Sequence, residues 1–282
     1  MKFPISIAWV FMGWAVPAVF AQMSMVSGSV RTLPDGRYTA SYTISSLPMT
    51  PAFLQGRPYS AEEISQQTQT LQDGTRTVRS TPSSFVCRDS AGRTRAEKRF
   101  PVPPIGSQAD IPAVPEISDP VSGYSYYLDT TNRIAHRIAL PKPIRFMPSS
   151  AMAFSSSPTV ISSISPGSKD VVTSSEPLGT QILDGIQAQG HRTILTHPVG
   201  SMGNDRPVVT TMENWISPEF NITILSKTTD PRSGESVRAL VNIRLTEPDP
   251  SLFQVPEGYA IVDETGPFTI TVNGPAKTGP AN

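Results

Sequence analysis

The stretch FNITILSKTTDPRSGESVRALVNIRL, residues 220–245, decides the fold class. Apolar side chains recur at every second position in both of its halves, which is the period of a β-strand with one buried face. Pro231-Arg232-Ser233-Gly234 separates the halves and consists of residues that favour turns. The stretch therefore predicts an antiparallel hairpin whose apolar face includes Phe220, Ile222, Ile224, Val237, Val241 and Ile243.

Extended runs and turns continue upstream of this hairpin. Asp73-Gly74 is typical of a two-residue type I′ turn and predicts a hairpin between strands at 63–71 and 75–88. Ser60-Ala61-Glu62-Glu63 also fits a helix capping box, so a helix through Leu71 is the alternative. Residues 66–70 carry no apolar stripe at helical spacing, which favours the strand.

Further short elements complete the pattern. Residues 124–129 and 133–140 predict another hairpin, and residues 190–197 a strand. Asp249-Pro250 predicts the N-cap and first position of one helical turn, after which Val255–Tyr259 turns the chain into a last strand. Together these signals predict a mainly β protein, an antiparallel curved open sheet or half-barrel built from meanders with few short helices.

The chain divides by composition into several predicted segments. Residues 57–266 predict a single β domain, within which the Ser- and Pro-rich stretch 141–176 is a loop, a flap or a linker. Residues 22–56 predict a flexible arm with one weak strand at 37–44, and 267–282 a disordered polar tail.

The first 21 residues predict a cleaved signal peptide. Lys2 supplies the positive charge, residues 5–20 an apolar run, and Val19-Phe20-Ala21 a small-residue cleavage site. A membrane anchor is the alternative, but the run is shorter than the roughly 20 residues that span a bilayer, and Gly13 and Pro17 interrupt it. Cleavage after Ala21 predicts a periplasmic or extracellular protein with no remaining membrane span.

Composition and charge narrow the functional classes. Lys and Arg number 23, as do Asp and Glu, so the chain has no net field to attract nucleic acid. Prolines number 29 of 282 residues, and charged residues make up only 16%, which predicts abundant loops and uncharged polar surface. Cys87 is the single cysteine, which excludes an intramolecular disulfide and favours a bacterial envelope protein over a disulfide-stapled extracellular domain.

A run of basic residues in the predicted meander is a candidate interaction patch. Few acidic residues oppose it, which suits a protein or anionic surface. Phe85 and Phe100 are its only aromatic neighbours, too few for stacking on single-stranded nucleic acid, and a solvated sheet face is the alternative. The residues of this patch are Arg76, Arg79, Arg93, Arg95 and Arg99.

Catalytic, metal and cofactor motifs are missing from the sequence. It contains no phosphate loop, dinucleotide fingerprint, zinc-protease motif or calcium loop. His191 and His197 share strand parity but lie roughly 20 Å apart at ~3.3 Å per residue, too far to share a metal. We therefore expect a protein that is not an enzyme and binds no cofactor or metal.

Several turn motifs carry a resemblance to a family. They are Leu71–Arg76, Arg88–Arg95, Asp119–Gly123 and Glu247–Tyr259. Together they resemble uncharacterised secreted proteins of the acidobacterial type. The closing Phe, Pro, Gly and Tyr pattern is also similar to lipoprotein-carrier and sigma-regulator envelope proteins, whose half-barrels hold acyl chains or peptides.

Three functional hypotheses remain open at this stage. The first is a non-catalytic periplasmic or secreted protein that binds a lipid or other hydrophobic ligand on an apolar concave face. The second is an envelope protein-protein interaction or sensing module that works through a sheet edge or the basic run. The third is an uncharacterised hydrolase whose site assembles only in the fold.

Overall fold

The computed structural model describes residues 26–32, 38–45, 54–99, 113–141, 159–162 and 171–274. These ranges form sixteen β-strands and one turn of 3₁₀ helix at Pro250–Phe253. The predicted mainly β fold with open, largely antiparallel sheets is confirmed. The predicted signal peptide lies outside the described ranges, and within them no helix has the length and hydropathy to cross a membrane.

The strands have the following bounds. In chain order they are β1 (Val26–Thr32), β2 (Tyr38–Ile44), β3 (Tyr59–Thr70), β4 (Arg76–Arg88), β5 (Thr94–Lys98), β6 (Val114–Asp119), β7 (Tyr124–Asp129), β8 (Ile134–Ala139), β9 (Thr159–Ser162), β10 (Val172–Leu183), β11 (Ile186–His197), β12 (Val208–Ser217), β13 (Ile222–Asp230), β14 (Gly234–Arg244), β15 (Ala260–Asp263) and β16 (Phe268–Gly274).

The described residues fall into two compact units that interleave along the chain. Unit 1 takes them from Met1–Gln55, Ala91–Ile144 and Asp249–Asn282, and unit 2 from Gly56–Ser90 and Arg145–Pro248. This interleaving has no signature in composition or turn motifs, and the sequence does not indicate it.

Unit 1 contains two groups of strands that pack face to face. One is the antiparallel sheet β1-β2-β16, and the other has the order β15-β8-β7-β6-β5, in which β15 runs parallel to β8. Tyr42 and Ile270 from the first group share a buried cluster with Val114 and Tyr127 from the second. The Tyr127 and Phe268 rings meet edge to face at 5.7 Å.

Two segments of unit 1 differ from the prediction. The predicted disordered tail from 267 contains strand β16, in which Phe268, Ile270 and Val272 are only 7%, 0% and 1% exposed. Residues 22–56, predicted as a flexible arm, contain β1 as well as the predicted strand, which is β2. The Gly and Pro residues around β16 favour turns and coil, and they obscured its period-two pattern in the sequence. In the fold, burial in the unit 1 core outweighs these local preferences.

Unit 2 is an antiparallel sheet with the order β4-β3-β14-β13-β12-β11-β10-β9. The strand that the sequence favoured over a helix at residues 63–71 is confirmed as β3. Most of the predicted loop 141–176 lies outside the described residues. Within it, Thr159–Ser162 forms β9, and the segment from Val172 onward already belongs to β10.

Two Asp-Gly pairs in unit 2 form different turns. Asp184 and Gly185 have φ values of 46° and 79° and join β10 to β11 as a two-residue type I′ turn. Of Asp73 and Gly74, only the glycine has a positive φ, of 85°. The Leu71 amide donates to the Thr75 carbonyl at 2.8 Å, so this loop has three residues and the predicted type I′ turn is wrong. The Asp73 side chain accepts from the Thr75 amide at 2.9 Å and stabilises the longer loop.

Alanine substitutions at two glycines that share a φ of +85° test how tightly the β13–β14 turn packs on β3. A Cβ at Gly234 would lie 2.1 Å from the Thr68 carbonyl oxygen, whereas a Cβ at Gly74 would have no neighbour within 4 Å. Gly74→Ala should lower the free energy of unfolding by about 1–2 kcal/mol, the cost of left-handed backbone for alanine. Gly234→Ala should cost at least about 2 kcal/mol more, because the backbone must also move. Urea unfolding of both variants measures the difference, and equal losses would contradict this packing.

Candidate functional site

The residues predicted to line a hydrophobic ligand site lie mostly in one buried cluster of unit 2, which we call the apolar cluster. Phe220, Ile222 and Ile224 are 7%, 5% and 2% exposed. Ile243 packs against this cluster, whereas Val237 and Val241 lie half-buried elsewhere on β14. The cluster is completed by Ala61, Ile186, Ala188, Trp215 and Leu240.

A bulge in β14 explains which of its residues reach the apolar cluster. Asn242 has a φ of 55°, and the register with β3 shifts between Val241 and Arg244. The extra residue reverses the alternation of side chains along the strand. Leu240 and Ile243 therefore join the cluster, although the sequence pattern paired Ile243 with Val241. The asparagine was the available signal, because Asn tolerates the left-handed conformation.

Two contacts show that the sheet of unit 2 folds over its own apolar face at this end. The Ile243 amide donates to Asp184 Oδ2 at 2.6 Å, although β12 and β13 separate β14 from the β10–β11 hairpin. The buried Arg88 guanidinium on β4 donates to the Phe220 carbonyl at 2.7 Å, across β3 and β14. Arg88 also donates twice to the Arg57 carbonyl, at 3.0 and 2.9 Å, and burial lowers its pKa. We call this the rolled end of unit 2.

A row of alternating charges crosses unit 2 next to the apolar cluster. Arg192 on β11 donates to Glu176 Oε1 on β10 at 2.7 Å and to Glu213 Oε1 on β12 at 2.8 and 3.0 Å. Lys227 stands opposite Glu213 and pairs with Glu235 Oε2 at 2.7 Å. These bonds raise the pKa of Arg192 and of Lys227. The row ends the apolar surface, because Glu213 lies two residues from Trp215 on the same strand face.

The strands of unit 2 continue beyond this row into solvent. Every residue from 71 to 80 is exposed, and so are Gln66, Gln67, Gln69 and Thr70 on the partner strand. Since neighbouring residues of a strand point to opposite faces, this part of the β3–β4 hairpin is solvated on both faces. We call it, with the adjoining β13–β14 turn, the open end of unit 2.

A pocket of about 500 Å³ lies at the open end. This volume falls within the range of ligand pockets in proteins. Its lining residues are mostly polar or charged and come from the ends of four strands and the β13–β14 turn. The lining residues are Thr68, Gln69, Thr70, Arg76, Thr229, Asp230, Pro231, Arg232, Gly234 and Glu235.

Asp230 is the buried charge in the wall of this pocket. Its carboxylate accepts from the Arg232 amide at 2.8 Å, from Arg232 Nε and Nη2 at 2.9 and 2.6 Å, and from Thr210 Oγ1 at 2.8 Å. The Arg232 hydrogen bonds hold the pKa of Asp230 far below its usual value, despite an exposure of only 7%. The β13–β14 turn is therefore fixed by an ion pair of its own.

The predicted interaction patch is divided between the two units. Arg76 and Arg79 belong to unit 2 and are exposed at its open end, where Arg76 lines the pocket. Arg93, Arg95 and Arg99 belong to unit 1 and are half-buried. There the Arg93 guanidinium lies 5.2 Å from the centre of the Phe253 ring, and Arg95 Nη1 donates to the Leu252 carbonyl at 3.1 Å. These two side chains hold the 3₁₀ turn.

The histidines do not assemble into a metal site within the described ranges. His136 contacts Glu264 Oε1 through Nδ1 at 2.7 Å and stacks on Phe268 with ring centres 4.7 Å apart. His191 and His197 lie half-buried on β11. Among the described residues, no three His, Cys, Asp or Glu side chains come together as metal ligands. The absence of an enzymatic activity stays a prediction.

Comparison with known proteins gives no family. No family model matches the sequence, and no curated protein matches it. One similar solved structure is an uncharacterised conserved protein from Thermus thermophilus, with 10% identity and a TM-score of 0.37, covering 74% of this chain and 91% of that chain. Another is a candidate lipoprotein from Parabacteroides distasonis, with 11% identity and a TM-score of 0.22, covering 80% and 94%. The resemblance to acidobacterial secreted proteins receives no support from these matches.

Asp230 makes the stability of unit 2 depend on pH. Its pKa is lower in the folded chain than the ~3.9 of an unfolded aspartate, so its contribution is present above about pH 4 and disappears as the pH falls further. We expect Asp230→Asn to lower the free energy of unfolding by about 2 kcal/mol at pH 7, since it breaks charged hydrogen bonds. The loss should shrink steadily as the pH falls below about 4.

The matched control is Asp205→Asn. Asp205 faces Arg206 at 3.6 Å with its side chain 86% exposed, so its removal should change stability little at any pH. Urea unfolding of both variants and the original chain between pH 7 and pH 2.5 measures the difference. A loss at Asp230 that stays constant over this range would refute the assignment.

Proposed function

We propose that this protein is a non-catalytic binding protein of the bacterial envelope, and that its partner is another protein bound at the open end of unit 2. The proposal develops the second of the three sequence hypotheses. It includes export and cleavage after Ala21, as the N-terminal sequence predicts.

The single observation that carries this proposal is the exposure of the β3–β4 hairpin. β3 has 12 residues and β4 has 13, about twice the usual length of ~5–6. Their distal halves cover no apolar surface and are solvated on both faces. Residues that bury nothing add little to stability. The exposed part of the hairpin is therefore better explained by a role in binding than by a role in stabilising the fold.

The apolar cluster supports a lipid ligand less well. Its central residues are exposed by 8% or less and pack against each other under the rolled end of the sheet. A lipid would have to separate these side chains and give up their mutual packing. Lipid binding at Phe220, Ile222 and Ile224 therefore stays a prediction from sequence, secondary to the polar open end.

Site-specific photo-crosslinking in the bacterium that encodes the protein tests the proposal. The full chain should carry p-benzoylphenylalanine at Val78, which is 54% exposed on the distal half of β4 and lies on the same strand face as Arg76. Irradiation should give a discrete adduct with one other protein. Ile182 provides the control position, because it is 76% exposed in the same unit but lies beside the rolled end. We expect at least a tenfold weaker adduct there.

Two outcomes would contradict the proposal. The first is no adduct at Val78, and the second is equal adduct formation at Val78 and Ile182. In parallel, native mass spectrometry and organic extraction of the mature protein from the periplasm test the lipid hypothesis. If a lipid co-purifies in stoichiometric amount and no partner protein is crosslinked, the apolar cluster would be the functional site instead of the open end.

A further inference from the structure

We infer that the pocket at the open end binds an acidic side chain of the partner polypeptide, with Arg76 as the residue that receives the carboxylate. The inference rests on the proposed function and specifies the chemistry of its partner. It depends on the balance of charge in the pocket, on the neutral groups beside Arg76 and on the apolar side chains at its rim.

Arg76 is the basic residue of the pocket that has no acidic partner in the part of the chain that the structure describes. Of the four charged side chains in the lining, Arg232 is neutralised by Asp230 at 2.6 Å, and Glu235 by Lys227 at 2.7 Å. Arg76 is exposed on β4 and has no ion-pair partner among the described residues. The four lining charges sum to zero, and Arg76 is the one that lacks a close counter-charge within the described ranges. A ligand group with a single negative charge complements it, whereas a cation would be repelled.

The uncharged polar groups of the lining can donate hydrogen bonds to an acceptor group of the ligand. Thr70 stands directly opposite Arg76 across the β3–β4 pair, and Thr68 stands opposite Glu235 across the β3–β14 pair. Thr229 and Gln69 complete the set. Hydroxyl and amide groups can donate to the oxygens of a carboxylate, and a guanidinium presents a planar fork that matches its two oxygens. The arrangement offers several donors around one cation.

Exposed apolar side chains point to a polypeptide rather than a free inorganic anion. Leu71 is 44% exposed at the start of the hairpin loop, and Val78, two residues from Arg76 on the same strand face, is 54% exposed. Met202 is 48% exposed, with its sulfur 3.5 Å from Arg232 Nη1 at the pocket wall. Such side chains give nothing to phosphate or sulfate. They complement the apolar neighbours of an acidic residue in a protein chain.

The pocket is also wide enough for a peptide segment. Its volume of about 500 Å³ exceeds the space that one carboxylate side chain fills, and its rim residues Gln69, Thr70 and Arg232 are exposed. Backbone and flanking side chains of a partner can therefore enter together with the acidic group. These features together define the ligand as an acidic, partly apolar polypeptide segment.

The test combines the crosslink at Val78 with a change at Arg76 on the same strand face. In the full chain, Arg76→Gln should reduce the adduct at least tenfold, because the pocket loses the cation that has no ion-pair partner among the residues described, while keeping a side chain of similar length. The matched control is Arg244→Gln, which removes one exposed positive charge from the same unit at the rolled end and should leave the adduct unchanged. Thermal unfolding checks that both variants fold.

The adduct itself supplies the second readout. Mass spectrometry of the crosslinked peptide should place Asp or Glu within a few residues of the attachment point. That segment, made as a labelled synthetic peptide, should bind the purified mature protein in fluorescence anisotropy. Replacing its acidic residues by Asn or Gln, or using the Arg76→Gln protein, should weaken binding at least tenfold. Inorganic phosphate at millimolar concentration should not compete beyond its effect on ionic strength.

The outcomes separate this inference from the proposed function. An adduct at Val78 that survives Arg76→Gln, or that maps to a segment without acidic residues, overturns the inference and leaves the interaction surface in place. Specific competition by phosphate that Arg76→Gln abolishes overturns it in favour of an anion site. The absence of any adduct at Val78 overturns the proposed function and the inference together.

Discussion

The hydrogen bond from the Ile243 amide to the Asp184 carboxylate is the constraint on which the organisation of unit 2 depends. The bulge at Asn242 takes this amide out of the ladder with β3, and an unpaired amide near a core is costly. The carboxylate that satisfies it comes from the β10–β11 turn, and two strands, β12 and β13, lie between that turn and β14 in the sheet. The sheet must therefore bend until the β10–β11 turn reaches β14, and this bend closes the apolar cluster.

The bend creates two ends with different physical roles. At the rolled end, Arg88 adds hydrogen bonds to the carbonyls of Arg57 and Phe220, and apolar burial supplies the stability. Beyond the charge row the same strands carry Gln, Thr, Ser and Arg, and bury little. Partly exposed ion pairs such as those of Arg192 contribute little net stability, yet a one-residue slip of register would move these side chains to opposite faces and break the pairs. The row therefore fixes the pairing of the strands where the core no longer does.

Local patterns were sufficient to predict the fold class, because strand alternation and turn chemistry depend on neighbouring residues. The hairpin at 220–245, the strand at β3 and the N-cap at Asp249 all follow from such patterns. Strand β16 was missed because its partner β2 lies more than 200 residues away and supplies its burial. The membership of Leu240 in the apolar cluster was missed because one left-handed residue, Asn242, reverses the alternation.

The pocket could not be predicted for a related reason. The sequence identified Arg76 only as one member of a basic run. That Arg76 lacks a partner of opposite charge among the described residues, unlike the other charged residues of the pocket, depends on which side chains the fold brings together. Pro231-Arg232-Ser233-Gly234 did indicate a turn, but the pairing of Lys227 with Glu235 depends on the register between β13 and β14.

The same neutralisation determines how the proposed partner is recognised. The chain has no net charge at neutral pH, and most charges around the pocket are paired, so little field extends beyond the roughly 8 Å over which salt screens charges. Attraction at long range then contributes little to the encounter. The partner is instead distinguished from other proteins by short-range contacts, in which an acidic group binds Arg76 and a neighbouring apolar group packs on Leu71 or Val78. Under the proposal, the open end therefore selects its partner by local complementarity and not by a charged surface.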